Sequence, residues 1–212
     1  MITAGDPSAR VAVVMLHGRE MCGADLSPFA ATLAKDAYWL FPDAPLAAGR
    51  ARTWWSIDSE QRIRAQHAGP MELSAMDPPG RAEARTYLDA IMQPLAQPVV
   101  LAGFSQGGML AMDYVLHGGK RPAALALLST TRIAIADWTE HAAALRDLPV
   151  LVAHGHDDRE LAFHAGELLR DFASEHGARV TWLPFDGGHQ LPFVVWRALK
   201  QLAASVSSRS RP

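Results

Sequence analysis

The stretch Val99-Val100-Leu101-Ala102-Gly103-Phe104-Ser105-Gln106-Gly107-Gly108-Met109 decides how this chain is read. Its apolar start has the length and composition of a buried strand. At Gly103 the run breaks into Gly-x-Ser-x-Gly, and helical spacing resumes over Met109 to Leu116. A sharp strand-to-helix turn pushes a serine oxygen clear of a sheet, and flanking glycines let two backbones pass closely. The helix N-terminus that follows supplies unpaired N–H groups and a partial positive charge beside Ser105. Ser105 is therefore a candidate nucleophile.

Working outward, further short apolar runs read as strands: Val11 to Leu16, Tyr38 to Phe41, Ala124 to Leu128, Val150 to Ala153 and Val180 to Leu183. They lack clean alternation, as strands covered on both faces do. Between them, Ala84, Tyr87, Leu88, Ile91 and Leu95 recur at helical spacing, as do Leu161, Ala165, Leu168, Leu169 and Phe172 before a stop at Gly177. Phe193 to Ala203 reads as a closing helix. This alternation predicts an α/β protein, a mostly parallel twisted sheet with helices on both faces. Asp43 to Gly80, rich in Pro, Gly, charge and Trp, reads as a long excursion containing a short helix. The domain is expected over residues 1–204, with 205–212 a disordered tail.

Composition narrows the function classes. Of 212 residues, 49% are hydrophobic and 20% charged, an ordinary globular balance. Twenty Lys and Arg against 22 Asp and Glu give a net charge of −2, which argues against nucleic-acid binding. A single cysteine, Cys22, excludes an internal disulfide framework and a multi-cysteine zinc site. No apolar run has the length of a membrane span, and the N-terminus lacks a signal-peptide profile, so a soluble cytoplasmic protein is expected.

A serine hydroxyl needs a neighbouring base, and in this topology acid and histidine follow later strands in the order Ser, Asp, His. One strand runs into His154-Gly155-His156-Asp157-Asp158, and the last runs into Phe185-Asp186-Gly187-Gly188-His189. His189, in its glycine-flanked loop, is the candidate base. Asp157, Asp158 and Asp186 compete as the orienting acid, and spacing alone does not separate the first two. His67, His117, His141, His164 and His176 lie in or near helices and read as surface or cap residues.

Four motifs in chain order now bear on family: Leu16-His17-Gly18, Gly103-Phe104-Ser105-Gln106-Gly107-Gly108, His154-Gly155-x-x-Asp158 and Gly188-His189. With Pro42-Asp43-Ala44-Pro45 and Trp54-Trp55, they resemble the phospholipase/carboxylesterase family of α/β-hydrolases, which includes the acyl-protein thioesterases. The resemblance implies a single-domain α/β-hydrolase without a cap domain. It implies Ser105 as nucleophile, His189 as base, Asp158 rather than Asp157 as acid, and an oxyanion hole from the N–H groups of Arg19 and Gln106. The expected activity is cleavage of carboxylic esters (carboxylesterase, lysophospholipase or acyl-thioesterase) through an acyl-enzyme, with a small-molecule ester or thioester substrate and no cofactor. The chain departs from the pattern at Arg19, at Arg159-Glu160-Leu161 and over Ser56 to Pro79.

Secondary features carry two readings each. The Arg19 guanidinium either grips an anionic substrate group or is solvated. Trp54 and Trp55 are candidates for the wall of a substrate pocket, although tryptophan is equally core material. Met71 and Met76 suit either an adaptable apolar surface or a surface loop, and Met109 and Met112 suit the core. Cys22 reads as a buried, inert thiol. His154-x-His156 with an adjacent Asp resembles a metal-ligand run, the basis of a rival metal-dependent hydrolase. A catalytically silent binding protein on the same fold is the other rival. Exposed apolar residues in the excursion are compatible with a homodimer.

Overall fold

The computed structural model describes residues 1–33, 36–56 and 69–209. Strands β1 (Ile2–Ala4), β2 (Ala12–Leu16), β3 (Tyr38–Phe41), β6 (Val99–Phe104), β7 (Ala124–Leu128), β8 (Pro149–Gly155) and β9 (Arg179–Phe185) form one sheet in the order β1-β3-β2-β6-β7-β8-β9. Every pairing is parallel except that of β1 with β3. A separate hairpin joins β4 (Leu46–Ala48) to β5 (Ala51–Thr53).

Successive side chains of a strand point to opposite faces, and both faces of this sheet are buried. Val14 and Leu16 of β2, Leu101 of β6 and Leu127 of β7 join the core beneath α2 (Arg81–Met92), α3 (Gln106–Leu116), α4 (Ile135–His141) and α5 (Phe163–Glu175). Val13 and Met15, Val100 and Ala102, and Ala126 and Leu128 join the opposite core with α6 (Phe193–Arg209) and Leu26 of α1 (Gly23–Leu33). Continuous apolar strands follow from this two-sided burial. The helices bury the faces their spacing predicts: Ala84, Leu88 and Met92 in α2; Ala165, Leu169, Phe172 and Ala173 in α5. α5 stops at Gly177, whose φ of 84° suits glycine.

The six anticipated strands and four anticipated helices are present. β1, β4, β5, α1 and α4 are additional, and each is short or, in α1, interrupted by Pro28. The closing helix runs past Ala203 to Arg209, which corrects the tail expected from residue 205. Val206 continues the stripe of Val195, Leu199 and Ala203 and is itself buried, so packing carries the helix onward. The excursion over Asp43 to Gly80 is tied to the body at both described ends. The short helix expected within it and His67 lie outside the described residues. No helix of the described residues is long and apolar enough to cross a membrane.

Candidate active site

Ser105 sits between β6 and α3 with φ 53° and ψ −120°, a conformation that side chains other than glycine adopt only under constraint. Two bonds hold it there: the Ser105 N–H donates to the Leu128 carbonyl at 3.0 Å, and the Thr130 hydroxyl donates to the Ser105 carbonyl at 2.7 Å. The turn must also press against β2. A Cβ at Gly107 would lie 2.6 Å from the carbonyl oxygens of Leu16 and His17, so only glycine fits. The motif glycines are thus a packing requirement of the elbow.

His189 meets this serine. Its Nε2 lies 2.9 Å from Ser105 Oγ and its Nδ1 lies 2.8 Å from Asp158 Oδ2. With the proton on Nδ1 donated to the carboxylate, Nε2 is free to accept from the hydroxyl. Phe104 packs against the imidazole, ring centroids 4.9 Å apart. The two loops meet because β8 ends in Gly155: a Cβ there would lie 2.4 Å from the Gly187 carbonyl oxygen. Backbone bonds from His156 to Phe185 and from Asp157 to Gly187, both 2.9 Å, complete the junction.

Between Asp157 and Asp158 the geometry is unequal. Asp157 is exposed, whereas Asp158 is buried and its Oδ1 accepts the N–H groups of Glu160 and Leu161, both at 2.9 Å. The buried His154 adds a donor, its Nε2 lying 3.3 Å from Asp158 Oδ2 and 3.1 Å from the Leu161 carbonyl. Burial alone would raise the Asp158 pKa, but the bonds from His154, His189 and Leu161 outweigh it and hold the carboxyl well below the usual range. Asp186 is fully exposed and faces His156 at 3.3 Å. His154 and His156 therefore point into different surroundings, one inside the acid loop and one at the surface, and do not form a ligand pair. Asp158 and His154 are bound to each other and to the loop, leaving the metal-hydrolase reading without its ligand set.

The turn after β2 carries Arg19. His17 is fully buried, with Nδ1 2.6 Å from the Gly18 carbonyl and Nε2 3.0 Å from the Ala44 N–H. Burial pushes its pKa down. The neutral ring donates from Nδ1 and accepts at Nε2. Because C=O and N–H of one trans peptide point in opposite directions, holding the Gly18 oxygen on the His17 side turns the Arg19 N–H away from it. Gln106 begins α3, a position whose N–H has no acceptor within the helix. Both residues line the cavity that contains Ser105 and His189. The Arg19 guanidinium lies 2.9 Å from Glu20 Oε1, also on the cavity wall. Cys22 is half-buried and does not line the cavity.

Trp54 and Trp55 require a correction. They are 1% and 0% exposed, belong to the core and take no part in the cavity wall. The Gln106 side chain holds them there. Its Oε1 accepts from the Trp54 N–H at 3.0 Å and the Thr53 hydroxyl at 2.9 Å, and its Nε2 donates to the Trp55 carbonyl at 3.2 Å. The Trp54 indole N–H donates to the His17 carbonyl at 2.8 Å. The tryptophans thus brace the turns on either side of Ser105 from below.

The cavity, about 870 Å³, is walled instead by Met21, Leu26 and Phe29, by Met71, Leu73 and Met76, and by Met109, Leu161 and Leu191. Met71 to Met76 form a strap. The Met71 N–H bonds to the Glu160 carbonyl and its carbonyl accepts from Ala162, while Ala134 bonds to Met76 and Ile135 to Ser74. The adaptable-surface reading of Met71 and Met76 fits this placement, and Met109, expected in the core, is buried yet also reaches the wall. Phe29, Leu73 and Leu191 were beyond sequence reasoning; no motif marks them, and they converge only in the fold.

A mostly parallel sheet, a strained serine at a strand–helix elbow and a Ser-His-Asp array at the strand ends define an α/β-hydrolase. The model of the phospholipase/carboxylesterase family matches residues 88–204, more than half of the chain. The chain belongs to this family and is by class a carboxylic ester hydrolase. It is 28% identical over 204 residues to carboxylesterase SOBER1 of Arabidopsis thaliana, covering 86% of this chain and 85% of that protein. The SOBER1 crystal structure matches with a TM-score of 0.73 and 27% identity over 95% of this chain and 99% of that one. In fold it also resembles esterase PE8 (TM-score 0.79, 22% identity, 97% of each chain). Zea mays acyl-protein thioesterase 2 is similar in fold too (TM-score 0.74, 17% identity, 97% of this chain and 99% of that one).

Proposed function

We propose that the protein hydrolyses carboxylic esters or thioesters of extended acyl chains through an acyl-enzyme on Ser105. The observation that carries this reading is the unbroken relay from Ser105 Oγ through His189 to Asp158, 2.9 and 2.8 Å, opening on a cavity with an apolar wall. Ser105 attacks the acyl carbonyl as His189 Nε2 takes its proton, and Asp158 holds the ring in that tautomer and stabilises its cation. The N–H groups of Arg19 and Gln106 receive the oxyanion, where losing one donor typically costs about 2.7 to 4 kcal/mol. His189 returns the proton to the leaving alcohol or thiol. Water, activated by the same imidazole, then releases the acid. The names of the relatives, carboxylesterase SOBER1 and acyl-protein thioesterase 2, agree with an acyl substrate.

The methionine-rich wall sets the acyl preference. Each methylene it covers contributes about 0.8 kcal/mol, roughly fourfold in kcat/KM, until the wall is filled. Aryl esters graded from acetyl to palmitoyl, assayed with wild type and Ser105→Ala in parallel, are expected to show kcat/KM rising well beyond the acetyl ester. A maximum at acetyl would remove the acyl role of the wall. Fluorophosphonate-resistant binding without turnover would instead favour a silent shell.

A further inference from the structure

At the far end of α3 from Ser105, three side chains of metal-ligating type converge: His117, Asp137 and His141, with one ligand atom of each within 4.8 Å of the other two. Both histidines cap helix turns. His117 Nδ1 lies 2.8 Å from the Asp113 carbonyl and His141 Nδ1 lies 2.9 Å from the Asp137 carbonyl. A ring nitrogen facing a carbonyl oxygen at that distance carries the proton and donates it. In a neutral ring Nε2 is then a lone-pair donor for a cation. Such backbone bonds fix the tautomer of metal-bound histidines generally.

The next contact is attractive with a proton or a metal ion between its two atoms, and the same Asp137 oxygen also accepts from Arg81 Nη2. His117 Nε2 lies 3.1 Å from Asp137 Oδ2, a lone pair against a carboxylate oxygen. A proton on His117 would join those two groups but gives the second imidazole no part. The His141 ring stacks on that of His117 with centroids 4.5 Å apart. A metal ion uses all three. Charge agrees: the carboxylates of Asp77, Asp113 and Asp137 surround the guanidinium groups of Arg81 and Arg85, leaving the cluster net negative. Arg81 Nη2, 3.0 Å from Asp137 Oδ2, orients the carboxylate from outside the ligand set.

We propose that His117, Asp137 and His141 form a structural site for a divalent transition metal, zinc by preference, that staples the end of α3 to α4. Two imidazoles with one carboxylate and a water make a tetrahedral zinc set and suit calcium or magnesium poorly. Zinc bonds of 2.0 to 2.2 Å put ligand atoms roughly 3.3 Å apart. The His117–Asp137 pair already has this spacing, and His141, its side chain 41% exposed, offers a ligand atom within 4.8 Å of both, so metal binding calls for a shift of this ring to close the third side. α3 has 11 residues, so the site stands about 16 Å from Ser105 and takes no part in turnover. Its reach is mechanical, because the N–H groups of Ala134 and Ile135 at the start of α4 hold the strap at Met76 and Ser74.

The test is titration of the full chain, stripped with a chelator and exchanged at neutral pH, with zinc chloride by calorimetry and thermal unfolding. One zinc per chain is expected, with Tm rising by roughly 5 to 10 °C at a hundredfold excess over Kd. His141→Ala, a surface change that spares the fold and basal ester turnover, should weaken binding at least tenfold, and His117→Gln likewise. His164→Ala, at the exposed His164–Glu167 pair, should bind as wild type does. Absence of saturable binding, or binding that His141→Ala leaves unchanged, would overturn the proposal.

Discussion

Replacing Ser105 with alanine is expected to lower ester turnover by roughly four to six orders of magnitude, with Tm within about 2 °C of wild type. The loss is that large because the attacking atom goes, and only the oxyanion donors and binding remain. The fold survives because, among the described residues, the hydroxyl's hydrogen bond is to His189 and not to a core element. Ser105→Gly adds a sharper test. At φ 53° and ψ −120° a side chain is strained by about 1 to 3 kcal/mol, while glycine loses about 0.5 to 1 kcal/mol in chain entropy. Glycine should therefore be as inactive as alanine yet raise Tm by a few degrees. Substantial turnover in either folded variant would remove Ser105 from the mechanism; a glycine variant less stable than wild type would remove the strain.

The second large effect separates two adjacent acids. Asp158→Asn is expected to cut kcat by about four orders of magnitude, since the amide disturbs the tautomer that lets His189 accept from Ser105. Asp157→Asn, at an exposed carboxylate beside the same loop, should change kcat by less than about threefold. Asp158 also affects stability. Its folded pKa is depressed, so its stabilising contribution is complete above the ordinary carboxylate value of about 4 and is lost as pH falls towards the lower folded value. Unfolding midpoints between pH 6 and 3 should accordingly fall less in Asp158→Asn than in wild type. Equal losses of activity in the two variants would place the acid elsewhere.

What was legible in the sequence follows from locality. The Ser105 elbow is a local device: strand, glycines and helix are contiguous, so its geometry is written in one stretch. His189 was legible from its position after the last strand. The choice of Asp158 over Asp157 needed either family resemblance or the loop, because burial and the bonds from Glu160 and Leu161 are what distinguish neighbouring aspartates. Trp54 and Trp55 misled because an indole serves a pocket or a core equally well, and the deciding bonds come from Gln106, some fifty positions away. The apolar cavity wall was legible only at Met71 and Met76, since the remainder is assembled from the turn after β2, α1, α3 and two later loops. Arg19 and Gln106 illustrate a third case: resemblance marked their N–H groups, while the Gln106 side chain bracing Trp54 and Trp55 emerged only in three dimensions.

The most direct test of Ser105 as the nucleophile is covalent. The intact protein is treated with a fluorophosphonate and digested, and the adduct is mapped by mass spectrometry alongside residual ester turnover. Stoichiometric modification of Ser105, advancing in step with loss of turnover and absent from Ser105→Ala, is the predicted result. Turnover that persists in protein fully modified at Ser105, or an adduct on another residue that tracks the loss, would contradict it.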